Sequence, residues 1–386
     1  MNQLCKRLIR NMSWRPRYFD IGVNFSDPMF QGCYNGSTNP KHPCDIEDVI
    51  SRAHLFNVDR MLITASTIKE SRDHFRLCEK YRNQFNSTAG VHPCSVASEF
   101  YVKEGDSYTE ELRSDVDEKL AELRRILVDG YQSGNVKAFG EIGLDYDRLH
   151  YSSKRQQLHM FKRQLDILHE LDFNLPLFLH MRAACDDFIQ IIKPYIDDGT
   201  VKNGVVHSFT GTEEELNKLL DLGFYIGLNG CSLKTEENLD VASKIPVQKL
   251  MIETDAPWCE IRKSHASYKL ISPYPNKFYP EIETGQLNEA KSQFKLDDNL
   301  PFPAIKKEHY TKHADFVQKR IEDYRDDTST ETRIGLLSKP MIKSRNEPVQ
   351  VGHVAEVLCK LRGITDDSAI ENFIDTVFDN SVKVFH

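Results

Sequence analysis

The sequence predicts an α/β fold, a TIM (β/α)8 barrel with a long insertion between strand eight and the last helix. Three observations predict it. Short β-rich apolar runs alternate with longer stretches of helical spacing, the signature of repeated β-α units and a parallel sheet. The runs number eight, the count that closes a barrel. Ionisable side chains stand at the carboxyl ends of runs three, four, five, six and eight, where a parallel barrel gathers its loops at one mouth.

The strands are read at Tyr18–Val23, Arg60–Thr64, Ser87–Val91, Val136–Ile142, Leu175–Leu179, Gly204–His207, Phe224–Leu228 and Lys249–Glu253. Helical patterns fall between them at Ile46–Asn57, Ile68–Tyr81, Asp115–Asp129, Lys154–Leu171, Ala183–Tyr195, Glu213–Leu222 and Leu239–Lys244. A last helix at Val349–Arg362 follows the eighth strand. An open doubly wound sheet is the competing arrangement, but it would usually carry a glycine-rich dinucleotide turn after its first strand. Here that turn reads Gly22-Val23-Asn24-Phe25, which does not fit.

One segment breaks the rhythm. From about Arg262 to Glu331 the chain is polar, rich in Pro, Tyr, Lys and Asp, and without a strong apolar period. It reads as a loop insertion at 262–331, with short helices around Ala304–Tyr324, in one barrel spanning 18–386. Loops at that end of a barrel carry function; a decorated surface excursion is the other reading. Residues 1–17 form a basic tail with Lys6, Arg7, Arg10, Arg15 and Arg17 and no acid, which reads either as a frayed end or as a weak mitochondrial presequence. The nine cysteines are scattered without a C-x-x-C pair, which argues for reduced thiols in a cytoplasmic or nuclear protein. No stretch approaches 18 consecutive apolar residues, so no membrane span is expected.

A net charge of −8 counts against a protein that coats nucleic acid, because such binding rests on neutralising phosphates. It does not count against a local basic rim. The run from Arg333 to Arg345, with Lys339 and Lys343 and no acid, is a candidate patch or plain solvated surface.

The chemistry sits at the strand ends. Glu141 ends strand four, His180 strand five and His207 strand six; Asp255 follows strand eight and His92 strand three. Of the 14 histidines only these three immediately follow apolar β runs. Each alone reads as a satisfied rim residue, but the repetition on five strands is hard to ascribe to packing. Two carboxylates with two or three imidazoles around one cavity form a nitrogen- and oxygen-donor set for one or two divalent ions.

The segments Gly90-Val91-His92-Pro93, Gly140-Glu141-Ile142-Gly143-Leu144-Asp145, His207-Ser208-Phe209-Thr210-Gly211, Glu253-Thr254-Asp255-Ala256-Pro257 and Ser344-Arg345-Asn346-Glu347-Pro348 resemble the signatures of the TatD-type deoxyribonucleases, of the metallo-dependent hydrolase superfamily. The resemblance covers about residues 18–260 and 334–386. It implies Glu141, His180, His207 and Asp255 as metal ligands, Glu141 bridging if two ions bind. Many relatives begin strand one with Asp-x-His-x-His; here it reads Asp20-Ile21-Gly22-Val23-Asn24, so one firm ion site and a weaker one are expected.

The expected reaction is hydrolysis of DNA phosphodiesters by a metal-activated water, with Glu141, Asp255 and His92 catalytic and Asp255 as general base. His92 and Arg182 are expected at the phosphate, Arg182 otherwise serving in an ion pair; Asn24 and Arg345 are further candidates for substrate binding. Glu253 and Asp145 are read as groups that orient the ligands. The nuclease resemblance implies Mg2+, while imidazole donors also suit Mn2+ or Zn2+. DNA is the expected partner, and no protein partner is called for. The rivals are an amidohydrolase or aminoacyl-tRNA deacylase on the same ligands, and a non-catalytic scaffold; a basic groove with aromatic faces would favour the nuclease, a small closed pocket the amidase.

Overall fold

Near-continuous burial of the β runs is what a sheet covered on both faces requires, and the computed structural model of the 386-residue chain has that architecture. It describes residues 14–171, 173–281, 299–323 and 340–386. Eight strands form one parallel sheet: β1 (Tyr18–Val23), β2 (Val58–Ile63), β3 (Phe85–Ala89), β4 (Val136–Asp145), β5 (Leu177–Arg182), β6 (Gly204–His207), β7 (Tyr225–Leu228) and β8 (Leu250–Ile252). They pair in sequence order. β1 and β8 meet without a regular ladder, through the bridge Val23↔Ala256 and the bonds Asp255 N–H→Gly22 O and Asn24 N–H→Ala256 O, both 2.8 Å. Asp20 seals this seam by accepting from the N–H and hydroxyl of Thr254 at 2.9 and 2.5 Å. Burial pushes its carboxyl up to about 8, although these bonds pull the other way.

Helices wrap the ring: α1 (Ile46–Leu55), α2 (Ile68–Asp73), α3 (Phe75–Lys80), α4 (Val116–Ser133), α5 (Lys154–Leu171), α6 (Cys185–Asp197), α7 (Glu213–Asp221) and α8 (Glu236–Lys244). Their apolar spacing explains the packing. In α4, for instance, Val116, Leu120, Leu123 and Leu127 share the buried face, and the helix stops at Gly134 in the left-handed region. None of the described helices is long and apolar enough to cross a membrane.

The chain after β8 carries α9 (Tyr310–Asp323), the two-residue pairing of Ala304–Ile305 with Met341–Ile342, α10 (Val351–Leu361) and α11 (Asp367–Phe385). The helical reading around Ala304–Tyr324 thus corresponds to α9. Residues 282–298 and 324–339 of this region, with Arg333 and Lys339 of the basic run, lie outside the described residues, as do residues 1–13 of the basic tail with Lys6, Arg7 and Arg10.

Several expectations need correction. β4 does not end at Ile142 but pairs with β5 as far as Asp145, with a register shift between Gly140 and Ile142 that leaves Glu141 as a bulged residue. A bulge re-aims the side chain it carries. β5 likewise extends through His180 to Arg182. A hairpin, Tyr101–Glu104 with Ser107–Leu112, was not anticipated between β3 and α4. Nor was α11, whose Phe378 and Phe385 join Phe19, Ile21, Leu62, Phe178 and Val205 in the cluster that fills the barrel interior. Asn380 bonds the Val247 and Leu250 carbonyls at the start of β8, so α11 plugs the end opposite the mouth.

Arg345 is the main correction. Expected to bind substrate, it is instead fully buried, with guanidinium bonds of 2.7 and 2.6 Å to Asp45 and 3.0 Å to Glu347. Glu347 in turn accepts from Arg52 at 2.8 Å, another side chain with no exposure. The cation has no surface to offer a ligand; it neutralises two buried carboxylates. Arg345→Met should therefore destabilise the fold by roughly 3–5 kcal/mol, because it strands uncompensated charge. Urea unfolding checks this, and a loss below about 1 kcal/mol, the scale of a surface pair, would refute it.

Candidate metal centre

Parallel strands that all end at one rim bring residues distant in sequence together, and four of them point at a common centre. Glu141 Oε1, on the β4 bulge, lies 2.7 Å from His180 Nδ1, 2.6 Å from His207 Nε2 and 3.1 Å from His92 Nε2. His180 Nδ1 is also 3.3 Å from both His92 Nε2 and His207 Nε2. His92, Glu141 and His180 offer donor atoms all within 4.8 Å of one another, the spread expected of groups able to grip one cation. All four side chains are almost wholly buried.

The orientation of the His180 ring is fixed from behind, and a second carboxylate stands near His207. His180 Nε2 sits 3.0 Å from Asp145 Oδ2, and His207 Nδ1 sits 3.5 Å from Glu253 Oε1. With Nε2–H turned to Asp145, a neutral His180 aims its Nδ1 lone pair into the cluster. Three lone-pair donors and a carboxylate facing one another repel unless protons or a cation lie between them, so the donor set fits a divalent ion. The electrostatics agree. Burial alone would raise the Glu141 carboxyl, but His207 and His92 beside it and the bonds from His180 and His207 hold it well below the usual carboxylate range. Burial alone would lower His207, but Glu141 and Glu253 hold it well above the usual imidazole range. For Asp145 burial is outweighed by His180, Arg148 and Arg182, so its carboxyl is lowered; for Glu253 burial prevails and raises it.

Asp255 lines the same pocket but is tied elsewhere. Its Oδ1 accepts from Asn24 Nδ2 at 2.8 Å and its Oδ2 from Cys259 Sγ at 3.3 Å. Asn24 Oδ1 accepts from the Thr64 hydroxyl at 2.7 Å, so its side chain holds Asp255 in place and is not a free group awaiting substrate. Gly22, at the position where the family resemblance leads one to expect a histidine, faces Glu253: a Cβ there would stand 2.9 Å from Glu253 Oε2. His92, read from the sequence as a phosphate contact, is as much part of the nitrogen cluster as His207. Arg182 lines the pocket and, among the described residues, makes no ion pair within 4.0 Å.

The pocket, about 580 Å³, has a rim the sequence did not assign: Arg148, Lys234 and Arg262 are its further cations, and Tyr151 and Trp258 are large exposed aromatics upon it. Trp258 carried a signal, directly following the Asp255-Ala256-Pro257 motif; Arg148 and Lys234 did not. Asp145→Asn should weaken divalent-ion binding roughly 10–100-fold while leaving the fold intact, since it removes the group that orients His180. Calorimetric titration of the purified protein with Mn2+ would reveal it, and unchanged affinity would sink the role.

The chain matches the family described as "TatD related DNase" over residues 19–386. It is 36% identical over 368 residues to a "Deoxyribonuclease Tat-D" of Schizosaccharomyces pombe, covering 95% of each chain. It is 36% identical over 243 residues to a "3'-5' ssDNA/RNA exonuclease TatD" of Erwinia amylovora, covering 62% of this chain and 80% of that one. Among solved structures it resembles an uncharacterised amidohydrolase of Saccharomyces cerevisiae (33% identity, TM-score 0.72, 96% and 100% covered). It also resembles a TatD-family hydrolase of Entamoeba histolytica (26% identity, TM-score 0.70, 97% and 99% covered).

Proposed function

This chain belongs to the TatD family of deoxyribonucleases, and from that premise we propose that it hydrolyses DNA phosphodiesters with a divalent ion held by Glu141, His180, His207 and His92. The convergence of ring nitrogens on Glu141 Oε1, inside a pocket with basic and aromatic walls, carries the reading. A divalent ion at this centre supplies a lowered pKa for water and charge neutralisation at the phosphoryl oxygens, the two obstacles to cleaving a diester.

The chain's own groups do the rest. Asp255 accepts the proton of the attacking water, with its carboxylate aimed by Asn24 and Cys259. Arg182 and Arg148 hold the phosphate, each as a fork matching its oxygens. Trp258, 54% exposed, offers a face on which a base stacks. Those walls favour a nuclease over an amidase, which would be expected to show a small closed pocket instead. The stacking face and the bacterial relative's printed name favour a single strand as substrate. The three-imidazole donor set favours Mn2+ or Zn2+ over Mg2+, which prefers carboxylate and water. Free thiols at the described cysteines fit a reducing compartment, cytoplasm or nucleus.

End-labelled single- and double-stranded DNA, incubated with each of the three ions and with a chelator, tests the reading. Cleavage should require the ion. Asp255→Asn should lower turnover by roughly 10²–10⁴-fold, the contribution of a positioned base, and Glu141→Ala should abolish ion-dependent cleavage; parental rates in a folded Glu141→Ala protein would refute the assignment. Trp258→Ala should weaken single-strand binding by about 1–3 kcal/mol, seen as a raised KM with kcat little changed.

A further inference from the structure

Beside the catalytic pocket lies a second cavity of about 340 Å³, and Glu260 and Arg262 line both. Its volume falls within the roughly 300–1,000 Å³ typical of ligand pockets. Its walls are built by the chain that follows β8, including the Ala304–Ile305 and Met341–Ile342 pairing, and by the first turn of α10. Among the described residues three cations, Arg262, Lys263 and Lys343, line it with one acid, Glu260, although the molecule as a whole is acidic. Tyr268 adds an aromatic face.

The wall contributed by α10 carries His353, only 5% exposed. One ring nitrogen bonds the Asn299 backbone carbonyl, while Nε2 is buried and has no hydrogen-bond partner among the described residues. Burial pushes the imidazole down to about 4, so it is neutral at physiological pH. With Nδ1–H spent on Asn299, Nε2 presents a lone pair. A buried acceptor left unpaired costs about 1–3 kcal/mol, which a ligand carrying an N–H or O–H donor would recover.

We propose that this cavity is a nucleotide subsite: it seats a residue of the substrate strand beyond the scissile bond, with Lys263, Lys343 and Arg262 on its phosphates and His353 Nε2 accepting from its base or sugar. Arg262, shared by the two cavities, lets one strand pass from the catalytic pocket into this one. The inference rests on the nuclease reading above and adds to it a source of chain-length preference: substrates too short to reach the second cavity gain nothing from it.

The test is the double variant Lys263→Ala, Lys343→Ala, two exposed positions whose truncation leaves the fold alone. For a long single-stranded oligonucleotide KM should rise about tenfold or more, as expected for losing two charge-assisted contacts. The slope of log affinity against log salt should fall by about 1.4 for a single strand. Hydrolysis of bis-(p-nitrophenyl) phosphate, which fills only the catalytic pocket, should not change, and Lys343→Arg should keep most of the oligonucleotide affinity. An unchanged KM for the oligonucleotide overturns the subsite. So does an equal loss on both substrates, which would mean the lysines support the catalytic pocket itself. If the parent protein cleaves no phosphodiester, the nuclease reading fails. The subsite is then decided separately by fluorescence anisotropy of a labelled oligonucleotide under chelator, where equal binding by parent and variant rejects it.

Discussion

Three imidazole nitrogens and a carboxylate oxygen packed around one point, with their side chains almost wholly buried, are tolerable only if positive charge lies among them. Desolvating such groups unpaired costs several kcal/mol each. That constraint organises the mouth of the barrel. Glu141 reaches the centre because the bulge at Gly140–Ile142 turns it inward. His180 keeps its ring fixed because Asp145 stands behind it at 3.0 Å, while Glu253 lies 3.5 Å from His207 Nδ1. Asp145 can do so because β4 continues past Glu141 in register with β5.

The strand-one departure gains a physical account from the same region. Gly22 leaves room for the Glu253 carboxylate, and Asn24 spans from Thr64 to Asp255. Strand one thus supplies positioning groups in place of imidazole donors, and the described donor cluster gathers on β4, β5, β6 and the turn after β3. Asp255 accepts from neutral donors on both oxygens, Asn24 on one and Cys259 on the other, which fixes the direction of its carboxylate.

Period and position made much of this legible in the sequence. Parallel strands bury both faces, so the eight apolar runs stand out, and a charged or imidazole residue at the end of five of them is conspicuous. What escaped was whatever depends on contacts far along the chain. Arg345 looked like a surface cation because nothing near it, apart from Glu347, announces burial; its partner Asp45 is 300 positions away. α11 escaped because its apolar spacing is mixed with Asp, Asn and Glu, yet Phe378 and Phe385 find a hole that only the assembled ring creates. The end of β4 was missed because Gly140 and Gly143 imitate a loop. The rim cations Arg148 and Lys234 sit in polar loops, where composition gives no hint of direction.

The anchoring around Arg345 has an architectural consequence. Asn346 donates its backbone N–H to the Pro257 carbonyl at 2.9 Å and its side-chain amide to the Thr254 carbonyl at 2.8 Å. The polypeptide that departs after Pro257 therefore returns to its point of departure, clasped there by hydrogen bonds and by the Asp45–Arg345–Glu347–Arg52 chain of charges. Closing such a loop grows costlier only with the logarithm of its length, about 0.6 kcal/mol per doubling. Evolution can consequently lengthen, shorten or re-dress this excursion almost at will, remodelling the neighbourhood of the reaction chamber while the ring beneath stays unaltered.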